Sequence, residues 1–418
     1  MAVRPGNFQQ NDTLNRYLLF FPRNANALND VHSFTGEEAL SQPYRYTIRF
    51  TSPNANIPPD AILNQKAEFL LRAPNPEASW HGQSSWLPVR QINGTITAFS
   101  RVKSSSDEAL YECVLEHELA LLNRNFRSAV YTDVTVPEVV TQLMKESRYF
   151  EGFNIDFDSL RCTYPRREMI IQWKETDLEF IRRLLAEVGI WFRLENHSTT
   201  PTETVVIFGD SASRYIISEK KFPFVRRSGM TSHDEYVTEL EERHALIPEN
   251  IMVRSYNYRD PLSPQADKTI VSNNIPGGIT TGSEYHHSDH FLQGGDFYGE
   301  ESETATFYAR LRYERLLNTQ CVLGATTSAA ELQPGIKFDI TGQIPDGFKK
   351  GFFVTSMTIT GSRAEHYQAL LSGIPCRHEY SFRPEFLPRP QIAGTVPARV
   401  MAIGSNKIYA GIDAAGRY

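Results

Sequence analysis

The sequence contains few cysteines, and their spacing matches no familiar site. Cys113, Cys162, Cys321 and Cys376 are scattered along 418 residues. No pair has the close spacing of a zinc knuckle or a redox motif. This pattern excludes a disulfide framework and predicts buried thiols in a protein made in a reducing compartment.

Long apolar runs and concentrated charge are also missing. No run of about eighteen apolar residues is present to span a bilayer. The first residues lack the basic start, apolar run and small-residue cleavage site of a secretory signal. Lys and Arg number 43 against 49 Asp and Glu, without a block of either sign, which argues against binding to a nucleic-acid backbone. The 40% hydrophobic content instead indicates a folded chain with a sizeable core.

The sequence also lacks two common catalytic motifs. The glycine-rich stretch at 277–282 has no Lys-Ser/Thr after it, so it does not match a phosphate-binding loop. Gly209-Asp210-Ser211 is not the G-x-S-x-G turn that carries a hydrolase nucleophile. Neither stretch indicates a reaction.

One histidine-rich segment offers possible metal ligands. It contains His286, His287, Asp289 and His290. A metal-dependent hydrolase that uses these residues is an alternative function for the protein. A structural zinc site needs four fixed ligands with supporting partners. Because adjacent histidines point apart in an extended segment, at most part of this set converges. We interpret the segment as a solvated polar loop.

A second alternative is a carbohydrate-binding β protein. Such a protein needs an exposed aromatic platform, for which Trp80 and Trp86 are the candidates. Burial of both rings would exclude this function.

The best-defined local structure lies between residues 164 and 195. Met169–Trp173 is a short apolar run with β-branched and aromatic residues, which predicts a buried strand. Thr176, with Glu179 three residues later, forms a capping box that begins a helix. Gly189 supplies the left-handed residue that ends the helix, and a second strand follows.

The predicted helix has two distinct faces. Its apolar residues recur at helical spacing, which predicts a stripe that packs on a sheet. They are Leu178, Ile181, Leu184, Leu185 and Val188. On the opposite side, Glu179/Arg183 and Arg183/Glu187 are four residues apart and are predicted ion pairs.

Most of the remaining chain predicts strands. Tyr46, Ile48 and Phe50 alternate with polar residues, the pattern of a half-buried strand. Similar runs recur without long intervening helices, which favours small antiparallel barrels over a parallel sheet. Further helices are predicted over 135–144 and about 304–317. Aromatic residues surround the later helix, which indicates core packing or, alternatively, a subunit contact.

Several separated motifs resemble one known family. The positions are Phe34, Gly36, Glu38, Leu40, Ser41, Pro43 and Tyr44 in an F-x-G-x-E-x-L-S-x-P-aromatic string, Gly94 in a later strand, Trp173, Glu175, Asp177, Phe180, Arg183, Leu184, Glu187 and Gly189 in the central unit, Pro334 and Gly335 in a turn, and Gly394, Gly416 and Arg417 near the end. Together they resemble the signature of VgrG, the spike protein family of bacterial type VI secretion.

This resemblance implies an α+β fold that is mainly antiparallel β and similar to phage tail hubs. The expected parts are a first β-barrel-like domain at 1–120, an α/β insertion at 121–200, a second β-barrel-like domain with its helix at 201–380, and a linker with the start of an OB-fold at 381–418. An OB-fold needs about five strands. We therefore expect an N-terminal fragment that lacks the rest of that domain and the family's β-prism needle.

The resemblance also implies a mechanical function, with no reaction, cofactor or metal in this region. The expected assembly is a homotrimer that caps the ring of the tube protein Hcp and carries the needle, with effector or tip proteins, into a target cell. The target membrane is expected to be contacted only through the missing needle, and no nucleic-acid partner is expected. Such a protein is made in the bacterial cytoplasm and then secreted by the type VI route without a signal peptide.

Overall fold

The computed structural model describes residues 16–21, 29–75, 86–226, 235–255, 268–271, 280–288, 302–365, 367–376, 381–397 and 411. Antiparallel strand pairing dominates these ranges, with α-helices inserted between the strands. The predicted α+β, mainly antiparallel fold is confirmed. No helix within the described ranges has the length and apolar character needed to cross a membrane.

The first strands of the chain close into a barrel. They are β1 (Tyr17–Phe20), β2 (Asp30–Ala39), β3 (Arg45–Ser52), β4 (Lys66–Pro74), β5 (Trp86–Ser104) and β6 (Ala109–Glu116). Their order in space is β1-β4-β5-β6-β3-β2, and β1 returns to β2 where Leu18 lies opposite Asp30. Every one of these pairings is antiparallel. This ring is called the first barrel.

Strand β3 shows why the sequence folds this way. Its alternating residues Tyr46, Ile48 and Phe50 are completely buried inside the barrel. The intervening Arg45 and Arg49 are exposed. The predicted half-buried strand is confirmed, because successive side chains of a strand point to opposite faces.

A helical insertion follows the first barrel. Its elements are β7 (Phe126–Val134), α1 (Val136–Glu146), β8 (Ile155–Asp156), β9 (Arg167–Thr176), α2 (Asp177–Val188), β10 (Trp191–Asn196) and β11 (Thr204–Gly209). Strand β7 pairs with β9, and β10-β11-β8 forms a separate small sheet. A hydrophobic core of its own joins both helices to these sheets.

Helix α2 begins and ends where the sequence predicts. Both hydrogen bonds of the Thr176–Glu179 capping box are present, and Gly189 ends the helix with φ 77°. The whole predicted apolar stripe is buried. Helix α1 carries a second capping box at Thr135 and has Pro137 in its first turn, so the helix predicted over 135–144 is also confirmed.

The last part of the chain supplies the remaining strands and a long helix. They are β12 (Ile216–Pro223), β13 (Val237–His244), β14 (Asn250–Ser255), β15 (Lys268–Val271), β16 (Ser283–Ser288), α3 (Ala305–Gln320), β17 (Cys321–Thr327), β18 (Ile336–Thr341), β19 (Phe352–Ser362) and β20 (Gln368–Pro375). Strands β15-β14-β16 form a small sheet of their own.

Helix α3 is apolar on several sides because it packs between two cores. Phe307 and Leu311 join the core of the insertion. Tyr313 and Leu317 face a second cluster that contains residues of β14. Core packing, one of the two interpretations of its aromatic residues, is confirmed.

A second barrel forms from β13-β17-β20-β19-β18-β12. It closes where Phe224, just after β12, bridges to Val237 at the start of β13. The two barrels are joined edge to edge by antiparallel pairing of β2 with β19, from Ala39 opposite Ser356 to Ser33 opposite Ser362. One continuous hydrophobic core runs through both barrels. The position of this pairing places the β2–β3 turn beside the helical insertion.

Candidate functional site at the junction of the barrels and the insertion

The residues of the central motif form a buried ionic network around α2. Glu175 receives two hydrogen bonds from Arg183, Nε to Oε2 at 3.0 Å and Nη2 to Oε1 at 2.7 Å. Arg183 also donates to the carbonyl oxygen of Ile171 on β9. Both charged side chains are only 7% exposed. The pair fixes α2 against the strand that precedes it.

The predicted ion pairs Glu179/Arg183 and Arg183/Glu187 are wrong. Glu179 instead caps the helix at Thr176, and Glu187 pairs with arginines from elsewhere in the chain. The prediction assumed an exposed helix surface, where residues four apart meet. Arg183 and Glu187 are buried, so tertiary partners replace the neighbours on the helix.

Asp177 occupies the first turn of α2 and is almost fully buried. Its Oδ1 accepts hydrogen bonds from Arg127 Nε at 2.8 Å and from Gln172 Nε2 at 2.9 Å. Because a carboxylate at a helix N-terminus also interacts favourably with the helix dipole, this charge is stabilised from two directions. The contact ties α2 to β7 and β9.

Glu187 connects α2 to two distant arginines. Its Oε1 lies 2.8 Å from Arg167 Nη1 and 2.8 Å from Arg389 Nη2. Arg167 also pairs with Glu303, just before α3. Burial alone would lower the pKa of Arg167, but nearby Tyr308, Glu187 and Glu303 raise it above its ordinary value. Arg167 therefore remains charged, since an arginine is effectively always protonated.

Arg389 belongs to an irregular segment, residues 381–397, that we call the strap. A second strap arginine, Arg383, is 8% exposed and pairs with Glu314 of α3. It also donates to the carbonyl oxygens of Gly189 and Asp210, both at 2.7 Å. Burial would lower the pKa of Arg383, but Glu314 raises it above the ordinary value.

The motif of β2 and β3 meets this network, although more than a hundred residues separate the two in sequence. Ser41, in the β2–β3 turn with φ 62°, donates its N–H to the carbonyl of Phe192 at 2.8 Å. The carbonyl of Ser41 accepts from Arg182 Nε at 3.1 Å. Leu40 packs in a cluster with Trp191 and Phe353. The turn thus joins the first barrel to the insertion.

Glu38 and Gly36 stabilise the same part of the first barrel. Glu38 is buried and pairs with Arg90 at 2.5 Å, and it accepts a hydrogen bond from the Tyr46 hydroxyl. Burial is the main cause that raises the pKa of Tyr46 well above its ordinary value, and the Glu38 charge is the second cause. A Cβ at Gly36 would stand 2.3 Å from the Tyr46 ring. Only glycine fits at this position without a shift of that ring.

The remaining motif residues occupy structural positions around the junction. Gly335 has φ 94° and hydrogen-bonds the carbonyl of Val354 through its N–H. A Cβ at Gly94 would lie 2.4 Å from the backbone oxygen of Glu116. The others comprise the buried Phe34, Tyr44, Phe180 and Leu184, the half-buried Pro43 and Trp173, Pro334 beside Gly335, and Gly394 in the strap. Gly416 and Arg417 lie outside the described residues.

The described part of the histidine-rich segment forms a strand, so the predicted loop is wrong for these residues. His286 and His287 belong to β16, paired with β14. As expected for adjacent residues of a strand, one is half-buried and the other exposed. His286 Nε2 lies 2.6 Å from Glu284. Burial, and next the nearby Arg312 charge, lower the pKa of His286. Asp289 and His290 lie outside the described residues.

Trp86 gives little support to the hypothesis of an exposed aromatic platform for carbohydrate. Its ring is half-buried in β5, and the guanidinium of Arg16 lies 5.4 Å from the ring centroid. Trp80 lies outside the described residues.

Sequence reasoning missed the partners of the motif residues. Arg167 and Arg389 approach Glu187 from 20 and 202 residues away, and Glu314 meets Arg383 across 69 residues. Arg383 stands between Phe382 and Pro384 in a stretch interpreted as a linker. The acidic residues of the motif were the signal from which these partners could have been inferred, because a carboxylate on a buried face of a helix needs a cationic partner. The chemical effect of the arrangement is to neutralise charges pairwise and clamp separate elements together.

Comparison with known proteins shows the family to which the chain belongs. A family model described as the phage tail baseplate hub (GPD) matches residues 37–365. The chain belongs to that family of tail hub proteins. An E. coli protein, described as a component of the type VI secretion system with structural similarity to the T4 bacteriophage tail proteins gp27 and gp5, is 31% identical. Its superposition covers 96% of this chain and 87% of that one, with a TM-score of 0.70.

Curated relatives identify the branch of the family. The spike protein VgrG5 of Pseudomonas aeruginosa is 28% identical over 236 residues, covering 55% of this chain and 27% of that protein. VgrG3 of Vibrio cholerae is 22% identical over 399 residues, covering 91% and 36%. The chain thus spans about a third of the length of these relatives. The predicted resemblance to VgrG spike proteins is confirmed, and the hydrolase and carbohydrate-binding alternatives are not favoured.

Proposed function

We propose that this chain is the head of a type VI secretion spike, a homotrimer that caps the Hcp tube. The observation that carries the proposal is the pair of closed barrels joined through β2 and β19. Three chains with two barrels each present six similar units around one axis. A trimer can therefore be seated on a sixfold ring, since cyclic symmetry reuses one surface around the axis.

The buried network supports a mechanical role. Arg183, Arg167 and Arg383 connect α2 to β9, to the residues before α3 and to the strap. A body whose elements are held by many buried charge-assisted bonds resists relative movement of those elements. We infer that the function of this region requires no reaction, and that a spike of this kind carries effector or tip proteins into the target cell.

The same architecture supports a division of the chain into four parts. We propose a first barrel domain near 1–120, an insertion near 121–200, a second barrel domain near 201–380, and a linker with the beginning of an OB-fold near 381–418. The insertion has a hydrophobic core distinct from the one that the two barrels share, and the closed strand ring of each barrel supports the division between the barrels. We also propose assembly in the bacterial cytoplasm and export through type VI secretion, because the relatives are type VI spike proteins.

The symmetry of the particle tests the proposal directly. Light scattering coupled to size exclusion should give about three times the 47.6 kDa chain mass at micromolar concentration. Averaged electron micrographs down the particle axis should show threefold symmetry with six similar peripheral densities. Incubation with purified Hcp should add a ring below them.

Two results would contradict the proposal. A monomer at every concentration, with no association in the presence of Hcp, would show that the chain does not form a trimeric head. A trimer whose axial view lacks the six-part density would exclude the symmetry match while leaving oligomerisation intact.

A further inference from the structure

Three side chains with metal-binding atoms converge in the second barrel. They are Glu242 and His244 of β13 and Cys321 at the start of β17. One ligand atom of each lies within 4.8 Å of the other two. None belongs to the buried ionic network around α2 or to the histidine-rich segment.

Strand geometry accounts for the convergence. His244 lies directly opposite Cys321 in the antiparallel pairing of β13 with β17. Residues opposite each other in such a pair point to the same face of the sheet. Glu242 is two residues before His244 and therefore shares that face. The hydrogen bond from Ala245 N to Gln320 O, at 2.9 Å, holds the end of this strand pair.

The neighbouring turn is shaped around the carboxylate. Gly347 lies in the turn Asp346–Lys350, and a Cβ on it would stand 2.6 Å from Cδ and Oε1 of Glu242. A larger residue would push Glu242 away from the other two ligands. The Glu242 side chain is 22% exposed, and its Oε1 lies 2.9 Å from His244 Nε2. The carboxylate is therefore already placed against one of its two co-ligands.

The donor set identifies the class of metal ion. We propose that Glu242, His244 and Cys321 bind a zinc-class divalent cation, with water as the fourth ligand. Thiolate and imidazole donors select Zn²⁺ over Mg²⁺ or Ca²⁺, which prefer oxygen ligands. Tetrahedral zinc, with bonds of about 2.0–2.3 Å, keeps its donor atoms about 3.5 Å apart. The ligand atoms here lie within 4.8 Å of one another, so binding requires the His244 side chain, which is 61% exposed, to turn about its own bonds.

The position of the site gives the ion a structural consequence. Cys321 is the residue at which α3 ends and β17 begins, and His244 is the last residue of β13. A bound ion ties the last residue of one strand to the first residue of its neighbour. It thereby fixes the junction between the second barrel and α3.

The test uses the full chain, reduced and stripped of metal with a chelator. Zn²⁺ is titrated against a chromogenic competitor, and Co²⁺ is added separately because thiolate-bound Co²⁺ absorbs in the near ultraviolet. We expect one zinc per chain, a thiolate–cobalt absorption band, and a higher Tm with Zn²⁺. Cys321→Ser should abolish the band, and Glu242→Gln and His244→Gln should each weaken zinc binding by at least tenfold.

Matched variants separate this site from adventitious binding. Cys162→Ser and Cys376→Ser remove other thiols, and His286→Gln removes another strand histidine that is paired with a carboxylate. All three should retain the band and the zinc affinity. Circular dichroism confirms that each variant is folded. Zinc binding that survives Cys321→Ser unchanged, or the absence of stoichiometric binding at micromolar metal, would overturn the proposal.

Discussion

Arg183 and Glu175 form a two-point ion pair in the interior, with donor–acceptor distances of 3.0 and 2.7 Å. Both side chains are 7% exposed. Breaking such a pair leaves one buried charge without a partner, which is far more destabilising than the loss of a surface pair.

The first prediction concerns this pair. Arg183→Met should lower the free energy of unfolding by about 3–5 kcal/mol, because Glu175 is left charged and buried. The double variant with Glu175→Gln should cost less than the sum of the single changes, since the charge is then removed. Urea unfolding followed by circular dichroism measures both.

The exposed pair Lys66–Glu203 provides the control. Its side chains are 52% and 34% exposed. Lys66→Met should change stability by less than about 1 kcal/mol. Equal effects of Lys66→Met and Arg183→Met would show that the burial of the Arg183 pair has no energetic weight.

A second prediction concerns Gly36. Gly36→Ala should lower the free energy of unfolding by about 1–3 kcal/mol, because the new methyl group overlaps the Tyr46 ring and must displace it. The matched control is Gly152→Ala, where a Cβ meets nothing within 4 Å. That change should stay within about 0.5 kcal/mol of the parent chain. Thermal and urea unfolding of the two variants, side by side, measure the difference.

A third prediction is a pH dependence that originates from His117. Its ring is completely buried, and its Nδ1 accepts the Leu119 N–H at 3.0 Å. Burial lowers the pKa of His117 to about 4. The unfolded chain binds the proton near pH 6.5 and the folded chain does not, so stability is lost as the pH falls from 6.5 toward 4. The contribution of this residue at pH 5.5 is a loss of about 1.2 kcal/mol relative to pH 7.

Variants assign that dependence. His117→Asn keeps a hydrogen-bond acceptor but cannot titrate, so it should show a smaller loss of stability between pH 7 and 5.5. The exposed His32→Gln serves as the comparison and should behave like the parent chain. Urea unfolding curves at the two pH values give the difference. Identical pH dependence in the parent chain and in His117→Asn would refute the assignment.

A fourth prediction concerns the strap. Arg383→Met removes the bonds to Glu314, Gly189 and Asp210 together, so residues 381–397 should exchange amide hydrogens faster and be cleaved sooner by a protease. Arg389→Met, whose parent side chain is 38% exposed, should have a smaller effect. Hydrogen exchange read by mass spectrometry distinguishes the two. Unchanged protection of the strap in Arg383→Met would show that other contacts hold it.

Local signals predicted the strands and the helix around α2 well, but the prediction that Met169–Trp173 is buried is wrong, because Met169 and Ile171 are exposed. The capping box at Thr176, the apolar stripe and the final Gly189 all depend on residues within a few positions of one another, which a sequence displays directly. The partners of Arg183 and Glu187 could not be predicted in the same way. They come from elements whose arrangement depends on the whole fold, so tertiary contacts replaced the i,i+4 pairs that an isolated helix would form.

The candidate metal ligands illustrate the same limit. Glu242 and His244 have the spacing of two residues on one face of a strand, which the sequence shows. Cys321 joins them only through the register of β13 with β17. One step of slippage would turn its side chain to the opposite face. Register across an intervening sheet and helix is set by the packed structure and cannot be obtained from spacing.

The pairing of β2 with β19 determines how the two barrels resist mechanical force. The paired residues from Ser33 to Ala39 and from Ser356 to Ser362 run alongside each other, so a push along the strands loads all their backbone bonds at once. Separation would require those bonds to fail together, whereas a pull across the strands would open them one after another. The two barrels therefore resist separation most strongly when the force acts along β2 and β19.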